Sequence, residues 1–306
     1  MSSNNNVTRA WRLVDLFESG RAEAQAAYEA YRSGIPRGPR IALSAQLEGI
    51  LGGCLPVGLT VVAGPPGSGK SAFVAQIAAE AGCPAVIVSC ELRCLEILHR
   101  LAARASGIPL GKFHRGEIAP DEWERCVRQA IDRSPNLWIV DGTSGPVTTS
   151  YIRETGESAR VGASHLVIVV DSVHSLVRGV LDGRMSEYEL TSKTLQDLQQ
   201  LGAELGAAIL VVAEQNRETL KSSKDDGLHS AAGTRLFEYG AEAMLTLSRE
   251  RDAQPDGEHE IVVTLRVVKN RRGLAGTPVS LKFCGERMSF READEFSPSL
   301  ARRKSA

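Results

Sequence analysis

The sequence predicts an α/β fold: a mostly parallel twisted sheet covered by helices, with antiparallel strands near the C-terminus and a short N-terminal helical extension. Three observations predict it. Residues 64–71 read GPPGSGKS between a short apolar run, LTVVA at 59–63, and a helical stretch, AFVAQIAAEA at 72–81. Further short apolar runs follow at 84–90, 137–140, 165–170 and 207–213, each separated from the next by helical sequence. That alternation is the mark of a parallel sheet with helices on its faces. The final third, at 244–249, 260–269 and 278–283, instead alternates apolar and polar residues as antiparallel strands do.

The first element is the most informative. A buried strand, a Gly-rich turn and a helix with the pattern G-x-x-x-x-G-K-[ST] form a phosphate cradle. Gly64, Gly67 and Gly69 allow a tight turn, and together with Pro65, Pro66 and Ser68 they bring successive backbone N–H groups to phosphate oxygens at a helix N-terminus. Lys70 is expected to reach the terminal phosphates, and Ser71 to hold Mg²⁺. Glu91 follows the 84–90 run at its carboxyl end, the end of an open parallel sheet where ligands bind, so it is a candidate catalytic base or the acidic start of the next helix. Asp171 ends the 165–170 run and is the carboxylate expected to complete the Mg²⁺ site.

The remaining elements come in order. Residues 1–10 are polar, and 11–34 place Trp11, Val14, Leu16, Phe17, Ala24, Ala27, Tyr28 and Tyr31 at near-helical spacing, with Gly20 as a break between one or two amphipathic helices. These helices pack on their own domain or on a neighbouring subunit. The Pro/Gly-rich joint GIPRGPR at 34–40 sets the boundary between an extension, 1–33, and the main domain, 34–292, with a small basic tail at 293–306. Helices are expected at 92–105, 121–133, 148–161 and 190–205, with 107–120 and 218–232 as loops and NRRGLAG as a hairpin turn.

Composition bounds what such a site can drive. At 306 residues, 42% hydrophobic and 24% charged, the chain is an ordinary globular protein with room for one large domain and additions. A formal net charge of -1 supplies no global field for nucleic acid, so such binding has to come from local loops. No apolar run approaches the ~20 residues that cross a bilayer, and the N-terminus lacks the apolar core of a secretion signal. A cytoplasmic protein without membrane contact is expected. The six cysteines form no C-x-x-C pair and read as reduced thiols rather than a zinc site.

In order along the chain, GIP, GPPGSGKS, SCEL, VIVVDS, ELGAAILVVAEQNR, AGTRLFEYGAEAML and VKNRRGLAGTP resemble the motifs of a RecA-fold P-loop ATPase. More narrowly they resemble the motor domain of the DnaB-type replicative helicases, superfamily 4, across residues 34–290. The resemblance implies an ATP hydrolase with Mg²⁺, in which Lys70 and Ser71 hold phosphate and metal, Asp171 is the second metal partner, and Glu91 polarises the attacking water. It implies that Lys269 and Arg271 act in trans, on the nucleotide of the adjacent subunit. Where the family carries a phosphate-sensing Gln, this sequence offers Glu214 by register and Gln215 by chemistry.

The same resemblance implies a homo-oligomer, a hexameric ring, that moves on single-stranded DNA. Its DNA loops would be 173–189 and 217–234, with Arg178, Arg184, Arg217, Lys221 and Lys224 as backbone contacts, or as plain solvated charges beside Asp182, Asp225 and Asp226. Aromatic residues make up only 5% of the chain, so base stacking is not expected to dominate. The stretch ahead of Gly34 is too short for the family's helical primase-contacting domain, so neither a primase nor a loader carries over as partner. Two other functions fit the same fold: a recombination ATPase that forms filaments on DNA, and a regulatory ATPase without unwinding.

Overall fold

A computed structural model describes residues 10, 12–181, 183–214, 237, 240–249, 259–276 and 278–293. The chain divides into two compact units, one ending at Arg37 and the other beginning at Gly38. In the first, a short 3-10 turn, Leu13–Leu16, runs into α1 (Phe17–Ser33), which Gly34 ends in the left-handed conformation. Gly20 lies inside α1 and does not break it. Nothing packs within 4 Å of where its side chain would be. The ~1 kcal/mol that glycine costs in an exposed helix is absorbed by the length of the helix.

In the second unit α2 (Ala45–Ile50) precedes β1 (Gly58–Gly64), the phosphate loop and α3 (Lys70–Glu80). Then come β2 (Ala85–Ser89), α4 (Cys94–Ser106), α5 (Leu110–Arg115), α6 (Pro120–Arg133), β3 (Leu137–Asp141), α7 (Thr149–Arg160), β4 (Val167–Asp171), α8 (Val173–Val180), α9 (Glu187–Leu205) and β5 (Ala208–Glu214). The chain closes with β6 (Ala243–Arg249), β7 (Glu260–Asn270), β8 (Pro278–Cys284) and β9 (Ser289–Glu292). All nine strands join one sheet in the order β3-β2-β4-β5-β1-β6-β7-β8-β9.

Strands β1, β2 and β4 are buried at every residue, which a parallel strand achieves only with helices on both faces. Successive residues serve opposite cores. Leu59, Val61, Val88 and Ile168 pack with Ile152, Leu176 and Leu198 of α7, α8 and α9. Val62, Ile87, Val169 and Leu210 pack with Phe73, Ile97 and Val127 of α3, α4 and α6.

Several expectations are corrected. The 107–120 loop contains α5, held down by Leu110 and Phe113 three residues apart. The 173–189 segment is largely helical. Ser172 accepts from Ser175 N to cap α8, which buries Val173, Leu176 and Val177, and a Ser186/Glu189 capping box starts α9 at Glu187. Strand β6 pairs in parallel with β1 and antiparallel with β7, so only the last three strands form the antiparallel end. Strand β9 is an addition to the expected elements. Its Phe290 exchanges two hydrogen bonds with the buried Gln76 side chain of α3, donating from N at 2.7 Å and accepting at O at 2.9 Å. The 217–234 loop and the 293–306 tail lie outside the described residues, apart from Ala293.

Candidate active site

The phosphate loop leaves the carboxyl end of β1 and turns into α3 at Gly69, whose φ of 90° suits glycine. A Cβ there would stand 2.7 Å from Cζ of Phe290. Lys70 is the first residue of α3 and only 8% exposed. Its Nζ donates to the carbonyls of Gly64 at 2.9 Å and Pro65 at 3.1 Å. Burial lowers its pKa, while Glu214, Asp171 and Glu91 pull it the other way.

Parallel order brings the carboxyl ends of β2, β4 and β5 beside this loop. Asp171, 6% exposed, ends β4 and lines the same cleft as Ser71. Burial pushes its carboxyl up to about 6, the neighbouring Glu91 adds to this, and Ser71, Lys70 and Arg100 offset part of it. A hydroxyl and a carboxylate on one cleft wall are hard oxygen donors of the kind that hold Mg²⁺ together with substrate phosphates and water. The residues present fit that ion.

Glu91 stands between β2 and α4, three residues ahead of the helix, so it is not the helix start. Its Oε1 accepts from Ser172 Oγ at 2.7 Å and Ser175 Oγ at 2.8 Å, which aim the carboxylate from the first turn of α8. Glu214 pairs in register with Gly64 and lies on the same side of β5 as Val212. An open cleft of about 360 Å³ is lined by Lys70, Ser71, Glu91, Asp171 and Glu214 together. Gln215 lies outside the described residues, so the structure places Glu214 alone of the two.

Further neighbours of the loop go beyond the residues expected there. Arg100 of α4 lines the cleft, with its Nε donating to Glu96 Oε1 at 2.9 Å. Phe283 and Met288 of the β8–β9 hairpin line it as well. Arg249, at the end of β6, has Nη2 3.5 Å from where a Cβ on Gly67 would be. Only the strand order brings β6 and the β8–β9 hairpin to the loop, and that order is not written in the local sequence.

Lys269 and Arg271 are not among the cleft residues. Arg271 N donates to Glu242 O, and Glu242 N donates to Leu59 O, so Arg271 is level with the amino end of β1. Leu59 precedes Gly64 by five residues, ~17 Å along a strand. The Arg271 side chain is directed to Glu242, with Nη1 2.9 Å from Oε1. It does not reach its own phosphate loop. Arg178, one of the expected DNA contacts, lies on α8 and pairs with Glu187 at 3.2 Å. All six cysteines are free thiols, and no helix among the described residues is long and apolar enough to cross a membrane.

Known proteins resemble this chain over most of its length. The chain is 24% identical over 242 residues to the replicative DNA helicase DnaB of Buchnera aphidicola subsp. Schizaphis graminum, covering 76% of this chain and 51% of that protein. It thus spans about half the length of that relative. One solved ATPase domain superposes with a TM-score of 0.71 at 20% identity, covering 89% of this chain and 98% of that one. A DnaB-like replicative helicase solved with its interactions with primase superposes at 0.74 and 19% identity, covering 95% and 69%. At such identities the superpositions establish a shared RecA-like fold. Residues 42–292 match the model of the DnaB-like helicase C-terminal domain, and the chain belongs to that family.

Proposed function

We propose that this chain is an ATP-hydrolysing motor that assembles with copies of itself into a hexameric ring in the cytoplasm and moves on single-stranded DNA. The observation that carries the proposal is the division of its machinery between the two ends of the sheet. Lys70, Ser71, Glu91, Asp171 and Glu214 converge on one cleft at the carboxyl ends of the parallel strands. Arg271 and Lys269 belong to the far end, where β7 turns. A second copy, docked head to tail, brings that turn to the cleft.

In this reading the loop N–H groups and Lys70 hold the terminal phosphates of ATP. Ser71 and Asp171 hold Mg²⁺, which neutralises charge on the β- and γ-phosphates when bound. Glu91, aimed by Ser172 and Ser175, takes a proton from the attacking water. Glu214, beside Gly64, is the group through which β5 meets the terminal phosphate. Arg271, with Lys269, supplies from the neighbour the positive charge that the transferred phosphoryl group demands. The DNA backbone contacts are assigned to Arg178, Arg184, Arg217, Lys221 and Lys224.

The test is ATP hydrolysis with and without single-stranded DNA at two salt concentrations. Stimulation that weakens steeply with salt supports a DNA motor. Turnover indifferent to DNA overturns it in favour of a regulatory ATPase, and filaments in place of rings under the electron microscope favour a recombination ATPase.

A further inference from the structure

Glu242 occupies an unusual place in the sheet. Its backbone is fixed on both sides, its N donating to Leu59 O at 2.7 Å and its O accepting from Arg271 N at 2.9 Å. Its side chain lies over Gly58, where a Cβ would meet Glu242 Cγ at 3.1 Å, and ends on Arg271 Nη1 at 2.9 Å. The turn beyond is rigid as well. Asn270 Nδ2 donates to Ile50 O at 2.8 Å, and Asn270 Oδ1 accepts from Arg272 N at 2.9 Å.

The Glu242–Arg271 pair is not a stability element. The two side chains are 25% and 46% exposed, and pairs in that setting contribute little to folding. What the pair does fix is direction: one arm of the guanidinium fork is held by a carboxylate that is itself pinned to β1 and β7. Glu242 also leads directly into β6. At the other end of β6, Leu247 O lies 2.5 Å from where a Cβ on Gly64 would be, and Arg249 reaches over Gly67. One strand therefore touches the subunit's own phosphate loop at one end and carries the support of Arg271 at the other.

We infer that Glu242 is a positioning residue for hydrolysis in the adjacent subunit, orienting Arg271 toward the neighbour's nucleotide from the base of β6. The inference rests on the reading of Arg271 as acting in trans. Glu242 touches no nucleotide itself and works only through the guanidinium it aims. Misplacing a catalytic cation by about 1 Å costs on the order of a hundred-fold, and Glu242→Gln keeps size while removing the charge that holds it.

The experiment compares three full-length variants, Glu242→Gln, Arg271→Ala and Lys70→Ala, alone and co-expressed in pairs. Glu242→Gln alone is expected to lower kcat on the order of ten- to a hundred-fold, with KM for ATP and the thermal midpoint unchanged. Co-assembled one to one with Lys70→Ala, it should regain turnover, because an intact cleft then meets an intact finger at about a quarter of randomly formed head-to-tail interfaces. The same recovery is expected for Arg271→Ala with Lys70→Ala. If that control pair recovers while the Glu242→Gln pair does not, or if Glu242→Gln alone turns over normally, Glu242 has no such role and the trans action of Arg271 stands. Failure of the Arg271→Ala pair to recover sinks the trans reading and the role of Glu242 with it.

Discussion

Asp171→Asn isolates the energetic cost of burying this carboxylate. The wild-type carboxyl is 6% exposed and its pKa is carried from 3.8 to about 6, chiefly by burial. A carboxyl raised in the folded state favours folding when protonated. That contribution is fully present below 3.8 and is lost as pH rises through about 6. At pH 7 the ionised group therefore weakens the fold by ~3 kcal/mol relative to a neutral one. Asparagine keeps the size and removes the charge. With neither nucleotide nor Mg²⁺ added, the variant should melt ~5–10 °C higher than wild type at pH 7. About half of that gain should remain at pH 5. Thermal denaturation followed by circular dichroism at the two pH values reads both. A variant that melts lower than wild type at pH 7, or a gain indifferent to pH, would show that burial of Asp171 is not the governing cost. MgATP turnover should be lost in either case.

Gly69→Ala combines a left-handed backbone with a side chain pushed into the Phe290 ring, and should cost ~2–4 kcal/mol in urea unfolding. Adding Phe290→Leu should return the steric part, and strictly additive losses would refute the contact. Gln76→Ala leaves the buried N–H and C=O of Phe290 without partners and should destabilise by ~2–3 kcal/mol, whereas a loss under ~0.5 kcal/mol would mean that β9 is held by other contacts. Glu91→Gln should reduce turnover ~10²–10⁴-fold with ATP affinity retained, as read by single-turnover hydrolysis and nucleotide titration; normal turnover would remove Glu91 from the role of base.

What is legible in the sequence is what is contiguous or fully buried. The phosphate loop is eight successive residues, and the central parallel strands announce themselves because helices on both faces bury every residue of β1 and β4, which are apolar but for Thr60 and the terminal Asp171. Glu91 and Asp171 stand out because an apolar run ends at each. The start of α8 is hidden for a different reason. Val173, Leu176 and Val177 do carry helical spacing behind a capping Ser172, but Gly179, Gly183 and scattered charges make the stretch read as a loop. Other features have no local signal. Gln76 meets Phe290 across 214 residues, and Arg249 nears Gly67 only because β6 lies next to β1. The parallel pairing of β6 comes from strand order, which periodicity does not encode.

The charges around the cleft argue for what must enter it. Three carboxylates, Glu91, Asp171 and Glu214, stand with Lys70 and Arg100 along its lining. Two cations stand against three carboxylates there, so an unaccompanied triphosphate would bring further negative charge to a lining in which acidic groups already outnumber basic ones. The Asp171 pKa is raised chiefly by burial, and Glu91 adds to the rise. A divalent cation entering with the nucleotide reverses the balance, because Asp171 then binds charge instead of meeting it. Hydrolysis adds a second demand, since charge on the transferred group grows where, among the cleft residues, carboxylates outnumber cations. Arg271, held by Glu242 at the opposite end of the sheet, answers that demand from another copy in the function proposed above.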